Sequence, residues 1–297
     1  MTPRQAEDSI ARGDWQALKA AISDMTPEGA YELLKLTAHG LRKAINLDAA
    51  VRAPDDLVGH IVQGGMAYFL SGRARGGALP NAMSETQTFD YISGLAMAND
   101  AIRRALRIDA DSGLANAFFT GCAIDEFEEG QKDEAASLIA QAQGVPVSGY
   151  LNLVAARSEK WGGSHDDMFR AARSYFDPSR PGTAALIAKA HFERRLYYTA
   201  FDTSPDARHN YRTYFSPDVM DELNAASAAV LKAGSGDPAE LRLANNWLAL
   251  VFAWGNKNNA AVKHLDRIKG GEDPTIWSIM NNPGALKRRA RGSWWPF

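Results

Sequence analysis

Ser164, His165 and Asp166 supply, in three consecutive residues, the hydroxyl, imidazole and carboxylate of a hydrolytic triad. A triad works only when the carboxylate orients the imidazole and the imidazole meets the hydroxyl, so its members converge from separate segments. Neighbours on a helix point about 100° apart and cannot converge. The run therefore predicts a helix start, with Ser164 as cap and Asp167 completing a capping box. His191 and Glu193 are spaced i, i+2, which puts them on different sides of a helix, whereas helical metal pairs stand three or four apart. There is no His-Glu-x-x-His and no cysteine pair, so no metal and no other cofactor is expected. Gly72-Arg-Ala-Arg-Gly76-Gly77 lacks the lysine and hydroxyl that end a phosphate-binding loop.

Four other groups of residues could bind rather than react. Trp161-Gly162-Gly163-Ser164 offers flexible backbone beside a helix N-terminus, where bare N–H groups attract an anion; the alternative is a tight turn pinned by Trp161 in the core. Residues 191–214 are dense in Arg, Tyr and Phe, including Arg194, Arg195 and Tyr198, the side-chain types of binding hot spots and of helical cores alike. Asn245 and Asn246, next to Trp247, could present amides to a peptide backbone in the same groove. The stretch Lys287-Arg-Arg-Ala-Arg291 precedes Trp294 and Trp295, a basic and aromatic tail that either meets a partner or folds back on the last hairpin. The single cysteine, Cys122, sits in an apolar stretch and reads as a small core residue.

These side chains must be carried by helices. Apolar residues recur once per helical turn, as at Ile92, Leu95, Ala98, Ile102 and Ala105, and at Phe119, Cys122 and Phe127. In the second half Ile187, His191, Arg194 and Tyr198 share one face, and Leu243, Trp247 and Val251 another. Thr26-Pro27, Ser216-Pro217 and Asp237-Pro238 pair a capping oxygen with a proline at the first helical position. Helix stops fall at Gly130, Gly144, Gly234, Gly255 and Gly270-Gly271. No alternating β-branched run occurs, so an all-α fold is expected. Residues 71–85, with three glycines and a proline, read as a long loop, and residues 177–182 as a soft subdomain break. Residues 1–90 read as N-terminal helices and 91–297 as a repeat region.

The repeat reading rests on residues 98–111, which resemble the second helix of a tetratricopeptide unit, and on a Gly130 turn followed by Ala135, Ile139 and Ala142. Ile102 and Ile139 are 37 apart, so the period is degenerate, and a weaker copy spans residues 245–268 around Gly255 and Ala260. Lys160-Trp-Gly-Gly-Ser164-His165, with Met168 and Phe169 after it, resembles a bacterial family of uncharacterised helical-repeat proteins that carries a Lys/Arg-Trp-Gly-Gly-Ser motif. The resemblance runs over about residues 98–277 and implies a TPR-like α-α superhelix; it implies no activity.

Composition narrows the partners. The 297 residues are 45% hydrophobic and 23% charged, ordinary for a globular chain, and the net charge of −2 gives no global attraction to nucleic acid or anionic lipid. The N-terminus is polar, no apolar run reaches the roughly 18 residues of a membrane span, and a cytoplasmic location is expected. The expectation that follows is a protein- or peptide-binding module whose stacked hairpins present a concave groove lined by Trp161, Ser164, Arg194, Arg195, Tyr198, Asn245 and Asn246. An enzyme with a site in the Arg/Tyr-rich half, or nucleic-acid binding through the basic tail, are the alternatives.

Overall fold

The computed structural model describes residues 1–40, 53–76, 82–125, 128–268, 271–280 and 282–292. They form an all-α structure with no strand among them; one isolated bridge joins Ser112 and Gln143. The helices are α1 (Pro3–Arg12), α2 (Trp15–Ser23), α3 (Pro27–Gly40), α4 (Leu57–Arg75), α5 (Glu85–Ile108), α6 (Gly113–Cys122), α7 (Gln131–Gln141) and α8 (Val147–Ala156). They continue with α9 (His165–Tyr175), α10 (Ala184–Ala200), α11 (Ala207–Thr213), α12 (Pro217–Lys232), α13 (Pro238–Trp254), α14 (Asn258–Ile268), α15 (Pro274–Ser278) and α16 (Pro283–Ala290). None of the described helices is long and apolar enough to cross a membrane.

The chain gathers into two compact units, Met1–Ala156 and Arg157–Phe297. In the first, α4 and α5 form an antiparallel hairpin. Gly64 abuts Ile102 while Gly94 abuts Ser71, and a side chain at either glycine would meet its neighbour at 2.5–2.7 Å. The core then fills with Leu34, Met66, Phe118 and Phe119, and Tyr31 stacks on Phe118 at 4.7 Å. Glu28 is buried too, accepting the main-chain N–H of Ser148 at 2.9 Å at the start of α8. Cys122 is fully buried, and burial pushes its thiol up to about 12.

Two local expectations are corrected here. Ser71 to Arg75 continue α4 instead of opening a loop, because tertiary contacts outweigh the roughly 1 kcal/mol that Gly72 costs a helix. Arg73 donates to Ala38 O at 3.3 Å and Arg75 to the Tyr91 hydroxyl at 3.2 Å. Of the rest of that stretch, residues 77–81 lie outside the described residues. Ile92 leaves the buried stripe of α5: it is 50% exposed while Leu95, Ala98, Ile102 and Ala105 are buried. Phe127, assigned to the α6 stripe, also lies outside the described residues, and Gly130 begins α7 with φ 78°.

In the second unit α10 is surrounded by α9, α11, α12 and α13. The caps form, but the capping box at Ser164 does not, because Asp167 Oδ2 accepts from Ser164 Oγ at 2.8 Å while Ser164 N donates to Arg157 O. Ser164 Oγ accepts from Asp167 N at 3.0 Å, Asp237 from Ala239 N at 2.7 Å, and Ser216 from Val219 N at 3.5 Å. The 177–182 break closes on itself, with Asp177 N donating to Thr183 Oγ1 at 2.9 Å.

Candidate functional site

Helix α10 runs seventeen residues without an interior proline or glycine, and its apolar residues Leu186, Ile187 and Phe192 are all buried. Its polar side chains lie along two faces, Lys189 and Glu193 on one and His191, Arg194 and Tyr198 on the other. Along one, Lys189 and Glu193 stand one turn apart and form an ion pair, and Lys160, from the turn before α9, reaches Glu193 at 2.7 Å. Lys189 also lies 4.6 Å from the centre of the Trp247 ring. Burial pushes the Glu193 carboxyl up, but the two ammonium groups outweigh it and hold the pKa down at about 2. Two cations thus share one buried carboxylate.

Along the other face His191 joins residues far apart in sequence. Its Nδ1 lies 2.8 Å from the Tyr214 hydroxyl and its Nε2 3.1 Å from Glu222 Oε2. Arg173 grips the same carboxylate through two donors at 2.7 and 2.9 Å. Those bonds, with that of His191, hold Glu222 at about 2. Hydroxyl, imidazole and carboxylate stand in triad order, but the phenol is only 8% exposed and burial pushes its pKa up. A nucleophile needs its pKa lowered and its oxygen accessible. The line Arg173–Glu222–His191–Tyr214 fits a pin between α9, α10 and α12 better than a reaction centre.

The remainder of that face is half-exposed. Arg194 Nε donates to the Tyr198 hydroxyl at 3.1 Å, and Tyr198 faces the Tyr214 ring at 6.1 Å and the His165 ring at 6.3 Å. His165 packs edge-on against Tyr197 at 4.9 Å and meets Glu159 at 3.1 Å. Burial, then the Arg194 charge, lowers the His165 pKa and favours the neutral ring. Its Nδ1 is buried with no hydrogen-bond partner among the described residues. Arg194 makes no ion pair with a carboxylate among the described residues. Arg173 and Arg180, by contrast, are held by Glu222 and Glu240.

The other sequence candidates have different employment. Arg195, 7% exposed, is enclosed by the rings of Tyr211, Phe215 and Trp254 at 4.2–4.7 Å. It donates to Trp254 O at 2.9 Å, and Arg289 donates to Ala253 O at 2.8 Å, so both cations cap the carbonyl end of α13. Asn245 and Asn246 are buried. Asn245 bonds Leu241 O and His264; Asn246 bonds Arg242 O, Gly271 O, Asp273 N and the Trp277 indole. The expectation that these amides face a peptide is corrected: every bond they make is internal.

The Trp161–Ser164 turn is corrected in the same way. Trp161 N and Gly163 N donate to Ser158 O, Gly162 N to Glu159 O and Ser164 N to Arg157 O, so the N–H groups of the turn itself are already used. Gly162 holds φ 84°, and a Cβ at Gly163 would lie 2.2 Å from Arg157 O, so the two glycines serve the turn itself. Trp161 is half-buried beside the turn rather than in the core. The basic stretch near the C-terminus forms α16, where Lys287 lies over the Trp277 ring at 4.5 Å and meets Glu272 at 3.7 Å. Residues 293–297, with Trp294 and Trp295, lie outside the described residues.

Of the seven candidates, then, Arg194 and Tyr198 come together, joined by His165 and Tyr197. Sequence reading named Lys160 only as part of the motif and passed over Lys189 and Glu222; the i, i+4 spacing of Lys189 and Glu193 was a local signal for that cluster. Comparison of the chain with family models, curated proteins and solved structures finds no match.

Proposed function

We propose that the chain is a binding module for a protein or peptide partner, and that Arg194 receives a carboxylate of that partner. The observation that carries the reading is the contrast among arginines. Arg173 and Arg180 are each held by a glutamate, whereas half-buried Arg194 bonds, among the described residues, the Tyr198 hydroxyl alone. A guanidinium offers five donors in a planar fork, and a carboxylate that reaches it gains two parallel charge-assisted bonds. Tyr198 and Tyr197, both packed against the His165 ring, supply aromatic surface beside it. In this reading the chain is a cytoplasmic, TPR-like helical-repeat protein of the bacterial family marked by Lys160–His165, and that motif serves the turn that sets His165 beside Arg194.

A random peptide array probed with the purified protein tests the proposal. Bound peptides are expected to share an acidic side chain or a free C-terminal carboxylate, and Arg194→Met is expected to lose them while Arg170→Met, on exposed surface of α9, keeps them. Equal binding by wild type and Arg194→Met overturns it.

A further inference from the structure

We infer that the solvent face of α5 is the contact surface of a symmetric homodimer. The helix is 24 residues long, about 36 Å at 1.5 Å per residue. Phe89 is 71% exposed and Ile92 50% exposed, the two most exposed large apolar side chains on one helix other than Ile108, at 55%, which closes the same helix. At 100° per residue Glu85, Phe89, Ile92, Ala96, Asp100 and Arg107 fall within one narrow stripe, all exposed, opposite the stripe that packs on α4. An exposed apolar strip of this kind, rimmed by charge, marks a contact surface.

The distribution of charge selects the occupant. The N-terminal part of the exposed face carries Glu85 and Asp90, and the C-terminal part carries Arg104 and Arg107. Glu85, Asp90 and Arg107 have no ion-pair partner among the described residues, while Arg104 pairs with Asp100 on its own helix. A two-fold axis perpendicular to the helix runs a second copy of α5 antiparallel to the first, so each acidic end meets a basic end. Placing the axis at Ala96 sets Glu85 opposite Arg107, brings Phe89 beside the arginines at 103 and 104 and Ile92 beside the Asp100–Arg104 pair, and leaves a small side chain where the helices cross. A parallel arrangement would set Glu85 against Glu85. The surface is thus complementary to itself in one orientation, and an antiparallel pair also opposes the two helix dipoles favourably.

Sedimentation velocity over a dilution series tests the inference, with circular dichroism confirming helix content in each variant. Wild type is expected to pass from two chains to one on dilution. Phe89→Gln with Ile92→Gln is expected to raise the dissociation constant at least about tenfold, equivalent to about 1.4 kcal/mol. Glu85→Lys with Asp90→Lys, and separately Arg104→Glu with Arg107→Glu, should each sediment as single chains, because each sets like charges at positions 85 and 107 opposite one another across the axis. Mixed in equal amounts, those two proteins should form a heterodimer. The inference is overturned if wild type is monomeric at every concentration, if the dimer survives Phe89→Gln with Ile92→Gln, or if the charge-reversed mixture stays monomeric.

Discussion

The amide oxygen of Asn246 accepts the indole N–H of Trp277 at 2.9 Å while also accepting the main-chain N–H of Asp273 at 3.0 Å. On its nitrogen side the same amide donates to Gly271 O at 3.1 Å and to Arg242 O at 2.9 Å. One fully buried side chain on α13 therefore ties down the segment that leads into α15.

Removing that amide strands several buried polar groups at once. Each unsatisfied buried donor or acceptor costs about 1–3 kcal/mol. Asn246→Leu, similar in volume, is expected to lower the unfolding free energy by roughly 3 kcal/mol or more. It should also speed proteolysis after residue 270. Urea unfolding followed by fluorescence checks the first, and limited trypsin digestion the second. Unchanged stability would mean the segment is held by apolar packing alone.

His264 makes stability depend on pH. It is fully buried between Ser227 Oγ and Asn245 Oδ1, both at 2.8 Å, and burial, then the charges of Arg267 and Lys263, lowers its pKa from 6.5 to about 4. Between those values the unfolded chain holds a proton that the folded chain refuses. Stability is therefore complete above pH 6.5 and is lost as pH falls towards 4, by up to about 3 kcal/mol. The paired carboxylates of Glu193 and Glu222 lose their contribution in a lower window, from their ordinary 4.5 towards about 2. Chemical denaturation of wild type and His264→Gln at pH 7.5 and pH 5 is the check, in which the variant should show the flatter dependence.

The Lys160–Glu193–Lys189 cluster should respond unequally to its members. Glu193→Gln leaves two ammonium groups buried without a counter-charge, and removing one partner of a buried pair costs about 3–5 kcal/mol. Lys160→Met leaves the Lys189–Glu193 pair within α10 intact and should cost clearly less. Thermal melts of the two variants decide the order, and an equal or reversed ranking would show that the carboxylate is not the centre of the cluster.

How much of this was legible beforehand depends on how far each interaction reaches along the chain. Ser164, Ser216 and Asp237 were readable as caps because a cap oxygen meets an N–H two or three residues away. The all-α fold was readable because apolar spacing of 3–4 residues is itself the helical period. The continuation of α4 through Ser71 and Arg75 was not, since the contacts that offset Gly72 come from Ala38 and Tyr91. The candidate site divides along the same line. Arg194 and Tyr198 are four apart on one helix and were readable as neighbours, whereas His165, which completes their patch, comes from another segment.

Read alone, the chain settles its all-α class and the caps at Ser164, Ser216 and Asp237. Folding alone decides which polar groups remain available. Arg194 and Arg195 are adjacent and chemically identical, yet one ends half-exposed beside Tyr198 and the other inside a ring of aromatics at the carbonyl end of α13. Asn245 and Asn246 looked presentable and are consumed by His264 and Trp277. The reason is physical: a buried donor or acceptor must be satisfied, and its partner is supplied by whichever distant segment packs against it.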